Sequence, residues 1–422
     1  MSLALISISY LFLDILFLFP SIILDTDIMP LPLAGLKILD FTTLLPGPYA
    51  TQILADMGAE VLRIESPTRP DLVKFMPPFV GSGKDRISAA HATLNRNKKS
   101  IALDLKKEGA AEIVHKLVAE YDIVIEQFRP GVMKRLGLDF ASLQTIQPKL
   151  IYCSITGYGQ TGPLKDRAGH DINYLALSGL ASYSGRADTG PVLSGTQIAD
   201  VAGGSHNAVM AILAAVIQRS TTGIGQYLDI SMSDAAMALT TMFGSNAITS
   251  GDDPSCGKEM LNGGLFYDYY QTSDDRHISI GSLEPNFAMA LLAVLELGDW
   301  KNKVADQNYA VQQALKAAIS EKVKTQPLAH WQAEFAKVDA CVEPVLTMNE
   351  AFEHPHFVER GMVTEAQDEA GNSIKQINTS LPFKTQLPHK AAGKLGANSV
   401  EVLQQLGYSD SDIEQLKKDR CI

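Results

Sequence analysis

Three stretches carry titratable side chains just where the chain turns helical. Residues 167–180 read RAGHDINYLALSGL and set His170 beside Asp171; QIADVAGG places Asp200 ahead of two glycines, and GSLEPNF places Glu284 ahead of Pro285. Histidine exchanges its proton near neutral pH. In open α/β sheets, ligands gather at the carboxyl ends of strands, where loops run into helices. Each position also has a structural use. Asp171 and Asp200 are N-cap residue types, the helix dipole favours Glu284 at an N-terminus, and His170 fits a packed histidine whose preceding Gly169 relieves the backbone. Spacing alone does not choose.

The elements that would position these groups alternate. LKILDF reads as a strand, PGPYATQILADMG as a helix that Pro48 starts and Gly58 stops, and AEVLRIE as a second strand. KSIALDL, KKEGAAEIVHKLVAEY, DIVIEQF and KLIYCSITGYG continue the strand–helix–strand pattern, which predicts a doubly wound parallel sheet. Neither GxGxxG after the first strand nor GxxxxGK[ST] occurs, so a nucleotide fingerprint is missing. Residues 203–219 read as a helix buried on most of its circumference, and GQYLDISMSD as strand into helix. Residues 244–276 read as a long loop or boundary, 276–298 as strand then helix, and the chain onward to about 338 as helical. Residues 363–392 read as polar and turn-rich, and 398–418 as one final helix. The expected organisation is an apolar extension (1–28), a large α/β domain (29–225), a linker and small domain (226–340), and a return to the large domain (341–422).

Composition narrows the function. The 422 residues include 36 basic and 47 acidic side chains, for a formal charge of −11, which repels nucleic acid. Four cysteines without a CxxC read as reduced thiols of a cytoplasmic protein. The apolar first 24 residues contain Asp14 and Pro20 and precede any lysine or arginine. They lack the basic region of a signal peptide, and Met29 is the expected start, with a weak membrane anchor as the alternative. HPH at 354–356 lacks a third ligand nearby, so no metal is expected.

The segments LLPGPYATQILADMGAEVLRIE, KKSIALDLKKEG, IEQFRPGVMKRLGLD, ITGYGQTGPLKDRAGHDINYLALSGL and ADVAGG together resemble the family III CoA-transferase superfamily, over roughly residues 31 to 390. AGHDINY with GSLEPNF resembles its alpha-methylacyl-CoA racemase branch. That likeness implies a Rossmann-like large domain, a smaller α+β domain and an interlocked homodimer. It implies His170 as a proton-transfer base, Asp200 as its counterpart across a planar enolate, and Glu284 as the carboxylate orienting His170; the enolate oxygen needs preorganised donors, and the Asp171 backbone N–H at a helix start is the candidate. It also implies that positions matching Arg63, Leu103, Asp104, Leu105, Lys106, Glu126, Arg129, Gly169 and Tyr174 contact an acyl-CoA substrate.

The reaction so implied is epimerisation at the α-carbon of 2-methyl-branched acyl-CoA thioesters, with no cofactor. For Asp200 to act as an acid, burial must raise its pKa; a solvated N-cap would show the opposite. The cationic run Arg96, Lys98, Lys99, Lys106 and Lys107 is read either as a solvated surface or as part of an anion-binding cluster. Met232, Met237, Met242 and Met260 fit either an adaptable acyl surface or ordinary packing. The nearest alternative is a CoA-transferase that forms an acyl anhydride on Asp171. A rival of another class is a non-catalytic acyl-CoA-binding or membrane-associated protein.

Overall fold

The computed structural model describes residues 30–81, 86–383 and 388–422; the expected extension 1–28 lies outside them. Six short apolar runs pair into one sheet: β1 (Lys37–Asp40), β2 (Glu60–Glu65), β3 (Lys98–Ala102), β4 (Ile123–Glu126), β5 (Ile151–Thr156) and β6 (Tyr227–Ser231). Their order across the sheet is β6–β5–β4–β1–β2–β3, and every neighbouring pair is parallel. This is the Rossmann strand order, reversing direction between β1 and β4. Parallel neighbours require crossovers. Helix α1 (Pro46–Asp56) supplies the first, α2 (Ala110–Val118) a later one, and α3 (Asp171–Leu177) and α4 (Asn207–Thr222) lie between β5 and β6.

Successive strand residues feed opposite faces, as the pleat demands. Ile38, Val61, Ile123, Ile151 and Cys153 join α1 and α4 in one core. Leu39, Leu62, Val124 and Tyr152 join α2 in the other. Only one face of α4 meets the sheet, through Ala208, Val209, Ile212 and Ala215; Met210 and Ile217 are 59% and 68% exposed. The expectation of a helix buried on most of its circumference is corrected on that point.

After β6 come α5 (Met232–Ala238) and α6 (Thr241–Ser250). The expected long loop from 244 is therefore helical at its start. A second unit comes next, with antiparallel strands β7 (Asp268–Gln271), β8 (His277–Ile280) and β9 (Val342–Pro344). Helices α7 (Pro285–Val294), α8 (Tyr309–Val323) and α9 (Leu328–Phe335) pack on it around Leu291, Ile319 and Trp331. The polar stretch near 363–392 is not merely turns: β10 (Val363–Gln367) and β11 (Ser373–Ile377) form a hairpin, with β12 (His389–Lys390) parallel to β10. The last helix is two, α10 (Ser399–Gln405) and α11 (Asp410–Lys418), parted at Gly407 with φ +85°. Val402, Leu403, Ile413 and Cys421 return to the α2 face of the large sheet.

Candidate active site

The reversal of strand order opens two cavities at the carboxyl ends of the strands. One, about 490 Å3, is lined by Thr42 and Thr43 after β1, Arg63 and Glu65 on β2, Leu103–Lys106 after β3, and Phe128 and Arg129 after β4. The other, about 450 Å3, is lined by Leu44, Phe128, Arg129, Tyr158, Gly169, His170, Asn173, Tyr174, Asp200 and Met232, among others. Phe128 and Arg129 face both cavities. A ligand with an anionic end and a reactive end would span them.

In the reactive cavity, His170 sits just before α3 in extended backbone, φ −129° and ψ 173°. Its backbone N–H donates to Asn173 Oδ1 at 3.0 Å. The residue is exposed and lines the cavity. Gly169 is required for packing rather than for an unusual dihedral: a Cβ there would stand 2.7 Å from the Tyr174 ring and 2.8 Å from the Tyr158 hydroxyl. The buried Tyr174 donates its hydroxyl proton to Gly169 O at 2.6 Å, pinning the loop that presents His170. Tyr174 thus lines the cavity while its hydroxyl is already engaged.

Asp200 is not an N-cap. It occupies the first turn of a helical stretch, Ala199–His206, wound wider than an α-helix and running directly into α4. Such wide turns recur at functional sites. Gly204 lets this stretch press on α1, where a Cβ would meet Pro46 Cβ at 2.9 Å. Asn207 Nδ2 donates to the Ala202 and Gly203 carbonyls, both at 3.1 Å, and Ser205 Oγ donates to Pro46 O at 2.7 Å. Burial, and after it the nearby Asp171 charge, push the Asp200 pKa up to about 6 against the opposing pull of His170. That is the direction required of a buried acid.

Asp171 Oδ1 accepts the backbone N–H groups of Ala199 at 2.6 Å and Asp200 at 3.0 Å. The carboxylate beside His170 therefore caps the helix that carries Asp200. Glu284 lies apart. It precedes α7, is exposed, and does not line the cavity of His170 and Asp200. It lies near Cys341, whose thiol pKa is raised by burial and then by the Glu284 charge.

The anion side divides. Arg63 is 3% exposed, and its guanidinium pairs with Glu65 and Asp71, each at 3.2 Å. It shapes the wall through Asp71, which in turn accepts the Leu44 N–H at 3.1 Å. Asp104 accepts from Thr68 Oγ1 at 3.1 Å and from the Lys106 N–H at 3.1 Å. Glu126 is buried against Ser154 and the Phe128 N–H, in a neighbouring cavity with Arg129 and Tyr227, and burial raises its pKa to about 7.

The cationic run divides: Arg96 and Lys98 fit neither of its readings, while Lys107 is exposed at the surface. Arg96 is wholly buried and pairs with Asp56 at 2.6 Å; Lys98 is buried among Asp40, Thr51 and Asn95; Lys99 pairs with Glu401 at 3.2 Å. Of the run, Lys106 alone lines the anion cavity, joined there by Arg69, Arg129 and Arg135, and these four form no ion pair among the described residues. Arg69 and Arg135 were not singled out in the sequence. Their signals were a position just past β2 and a place within RPGVMKR. Met232 is buried and lines the reactive cavity, whereas Met237, Met242 and Met260 are exposed. His354 Nδ1 accepts the His356 N–H, a local cap.

Comparison with known proteins fixes the family. The family model described as CoA-transferase family III matches residues 33–399. The chain belongs to CoA-transferase family III. It is 33% identical to human alpha-methylacyl-CoA racemase over 398 residues, covering 92% of this chain and 97% of that one. It is 34% identical to a succinate–glutarate CoA-transferase of Agrobacterium fabrum over 393 residues, covering 89% and 96%. A CaiB/BaiF family protein from Brucella suis superposes with a TM-score of 0.78 at 31% identity, over 90% of this chain and all of that chain. This family III enzyme is thus about equally similar to a racemase and to a transferase, and overall identity does not choose between them.

Proposed function

We propose that this enzyme epimerises 2-methyl-branched acyl-CoA thioesters at the α-carbon through an enolate. The observation that carries this reading is the shared cavity of His170 and Asp200, with an exposed imidazole at one point and a carboxyl of raised pKa at the other. One group removes the α-proton and the other returns a proton to the opposite face. Two working forms suffice: neutral imidazole with protonated Asp200, and imidazolium with carboxylate. They differ only in where one proton sits, so a single protonation level serves both epimers.

The enolate oxygen needs preorganised donors, a role we assign to the Asp171 backbone N–H at the start of α3. Arg69, Lys106, Arg129 and Arg135 would take the phosphates of CoA, and arginine forks suit phosphate oxygens. Glu284 completes the site in this reading when a second copy of the chain brings its own Glu284 to His170, both side chains being exposed in one chain. A homodimer is the corresponding assembly. The reduced thiols favour the cytoplasm as the place of the reaction.

A transferase would need the Asp171 carboxylate free to attack the thioester. Here one of its oxygens accepts two backbone N–H groups. The deciding experiment incubates a 2-methylacyl-CoA with the enzyme in heavy water. Deuterium entering the α-position without an acceptor acid is the expected result. No deuterium, together with CoA passing to an added carboxylate such as succinate, refutes the reading.

A further inference from the structure

Asp171 has a carboxylate that the proton-transfer scheme does not use, and its position is specific. It comes directly after His170 at the start of α3, while its Oδ1 reaches across to the first turn of a different helical stretch, Ala199–His206. There it accepts the N–H of Ala199 at 2.6 Å and of Asp200 at 3.0 Å. Helix N-termini leave such N–H groups without internal partners, and a carboxylate is the strongest side-chain acceptor for them. One side chain therefore ties the backbone of Asp200 to the backbone adjoining His170.

We propose that Asp171 is a positioning residue, whose carboxylate latches the Asp200-bearing helix to the start of α3 and so sets the spacing and the local charge of the two proton-transfer groups. This rests on the epimerase reading above. The latch is short: no flexible side chain intervenes between Asp171 Oδ1 and the Asp200 amide, so a change at the cap displaces the Cα of Asp200. Misplacement of a reacting group by about 1 Å costs roughly 100-fold in rate. The same carboxylate places a negative charge beside the pair. Like charges disfavour loss of a proton from a neighbouring acid, and the Asp171 charge is the second contribution, after burial, to the raised pKa of Asp200. Capping and charge are separable, because asparagine keeps an acceptor oxygen at the same place and gives up the charge.

The test compares Asp171→Asn and Asp171→Ala with the wild-type enzyme, using two readouts. The first is hydrogen–deuterium exchange of the backbone over residues 196–204, which needs no substrate. Protection should persist in Asp171→Asn and fall about tenfold or more in Asp171→Ala. The second is the pH profile of epimerisation. Asp171→Asn should keep at least roughly a tenth of kcat, with its bell-shaped profile moved to lower pH, since removing a neighbouring negative charge makes both groups give up protons more easily. Asp171→Ala should lose about 100-fold in kcat with KM within a few-fold, and Asp171→Asn should stand as its conservative rescue.

The latch is overturned if exchange over 196–204 is unchanged in Asp171→Ala. It is also overturned if Asp171→Asn is as inactive as Asp171→Ala while both stay folded, or if the Asp171→Asn profile does not move. Failure of the epimerase reading looks different: the wild-type enzyme incorporates no deuterium at the α-carbon, whatever the backbone exchange reports.

Discussion

Replacing Asp200 by asparagine separates the two faces of the proposed reaction. At pH 7 a carboxyl with a pKa of about 6 carries a proton in about one molecule in ten. At the usual aspartate value of 3.8 the fraction is about one in 1600, so the site raises the neutral-pH population of this acid by ~150-fold. Asparagine has no proton to exchange. Epimerisation should then fall by about 10²–10⁴-fold, the usual span of a general acid–base contribution. His170 remains, and it still addresses one face of the α-carbon. The epimer that presents its α-proton to His170 should therefore keep washing in deuterium with retained configuration, while the other epimer becomes inert. Following both epimers by NMR in heavy water, with chiral separation of the hydrolysed acids, measures the two rates independently. The reasoning fails if Asp200→Asn epimerises within about tenfold of wild type, or if a folded Asp200→Asn enzyme exchanges neither epimer.

Three further outcomes are expected. Mixing His170→Ala with Glu284→Ala subunits under conditions that allow chain exchange should recover about a quarter of wild-type sites, because half the dimers are mixed and each carries one intact site; activity no higher than the mean of the two parents would exclude a site shared between copies. Arg96→Ala leaves Asp56 as a buried charge without its guanidinium and removes a 2.7 Å bond to Ile377 O, so chemical denaturation should show a loss of about 3–5 kcal/mol. Glu126 has a folded pKa of about 7 against an ordinary value of 4.5, raised chiefly by burial. The native state thus holds that proton more tightly than the unfolded chain, and the associated stability is present at low pH and is lost as pH climbs from about 4.5 through 7. Glu126→Gln should accordingly stabilise the protein at pH 8, on the order of 1–3 kcal/mol, and change little near pH 4.5; equal effects at both pH values would refute the assignment.

The large sheet was legible because each strand is short, apolar and followed by a helix whose start or stop carries proline or glycine. β1, α1 and β2 were readable from Pro48, Gly58 and the runs between them. The β10–β11 hairpin was not, because its residues are polar and its partners lie far off in sequence: Arg96 reaches Ile377 O across 281 positions. The same remoteness hid the fate of Arg96 and Lys98, whose lysine-rich neighbourhood reads as surface until Asp56 and Asp40 are placed beside them. At the site, residue type marked His170 and Asp200, yet the local pattern gave Asp200 a capping role that Asp171 in fact performs. Sequence reveals a cap through the helical run immediately C-terminal to it, and here the capping side chain comes from 28 positions upstream.

That displaced cap also bears on how one scaffold serves two reactions. Relatives of both kinds match this chain at 33% and 34% identity over about nine-tenths of its length. Similarity in sequence and fold is therefore insufficient to set the chemistry. The chemical difference between the two reactions is the job of a carboxylate. A transferase uses it as a nucleophile, which must be exposed and weakly bonded. An epimerase can use it as a structural acceptor, which must be held. Each charge-assisted hydrogen bond from a backbone N–H withdraws electron density from the carboxylate and makes it a poorer nucleophile. Asp171 accepts two such bonds at 2.6 and 3.0 Å, beside a histidine whose side chain is exposed to the cavity. On the proposed reading, His170 is the proton-transfer group that faces the cavity, and the neighbouring carboxylate holds the second one in place.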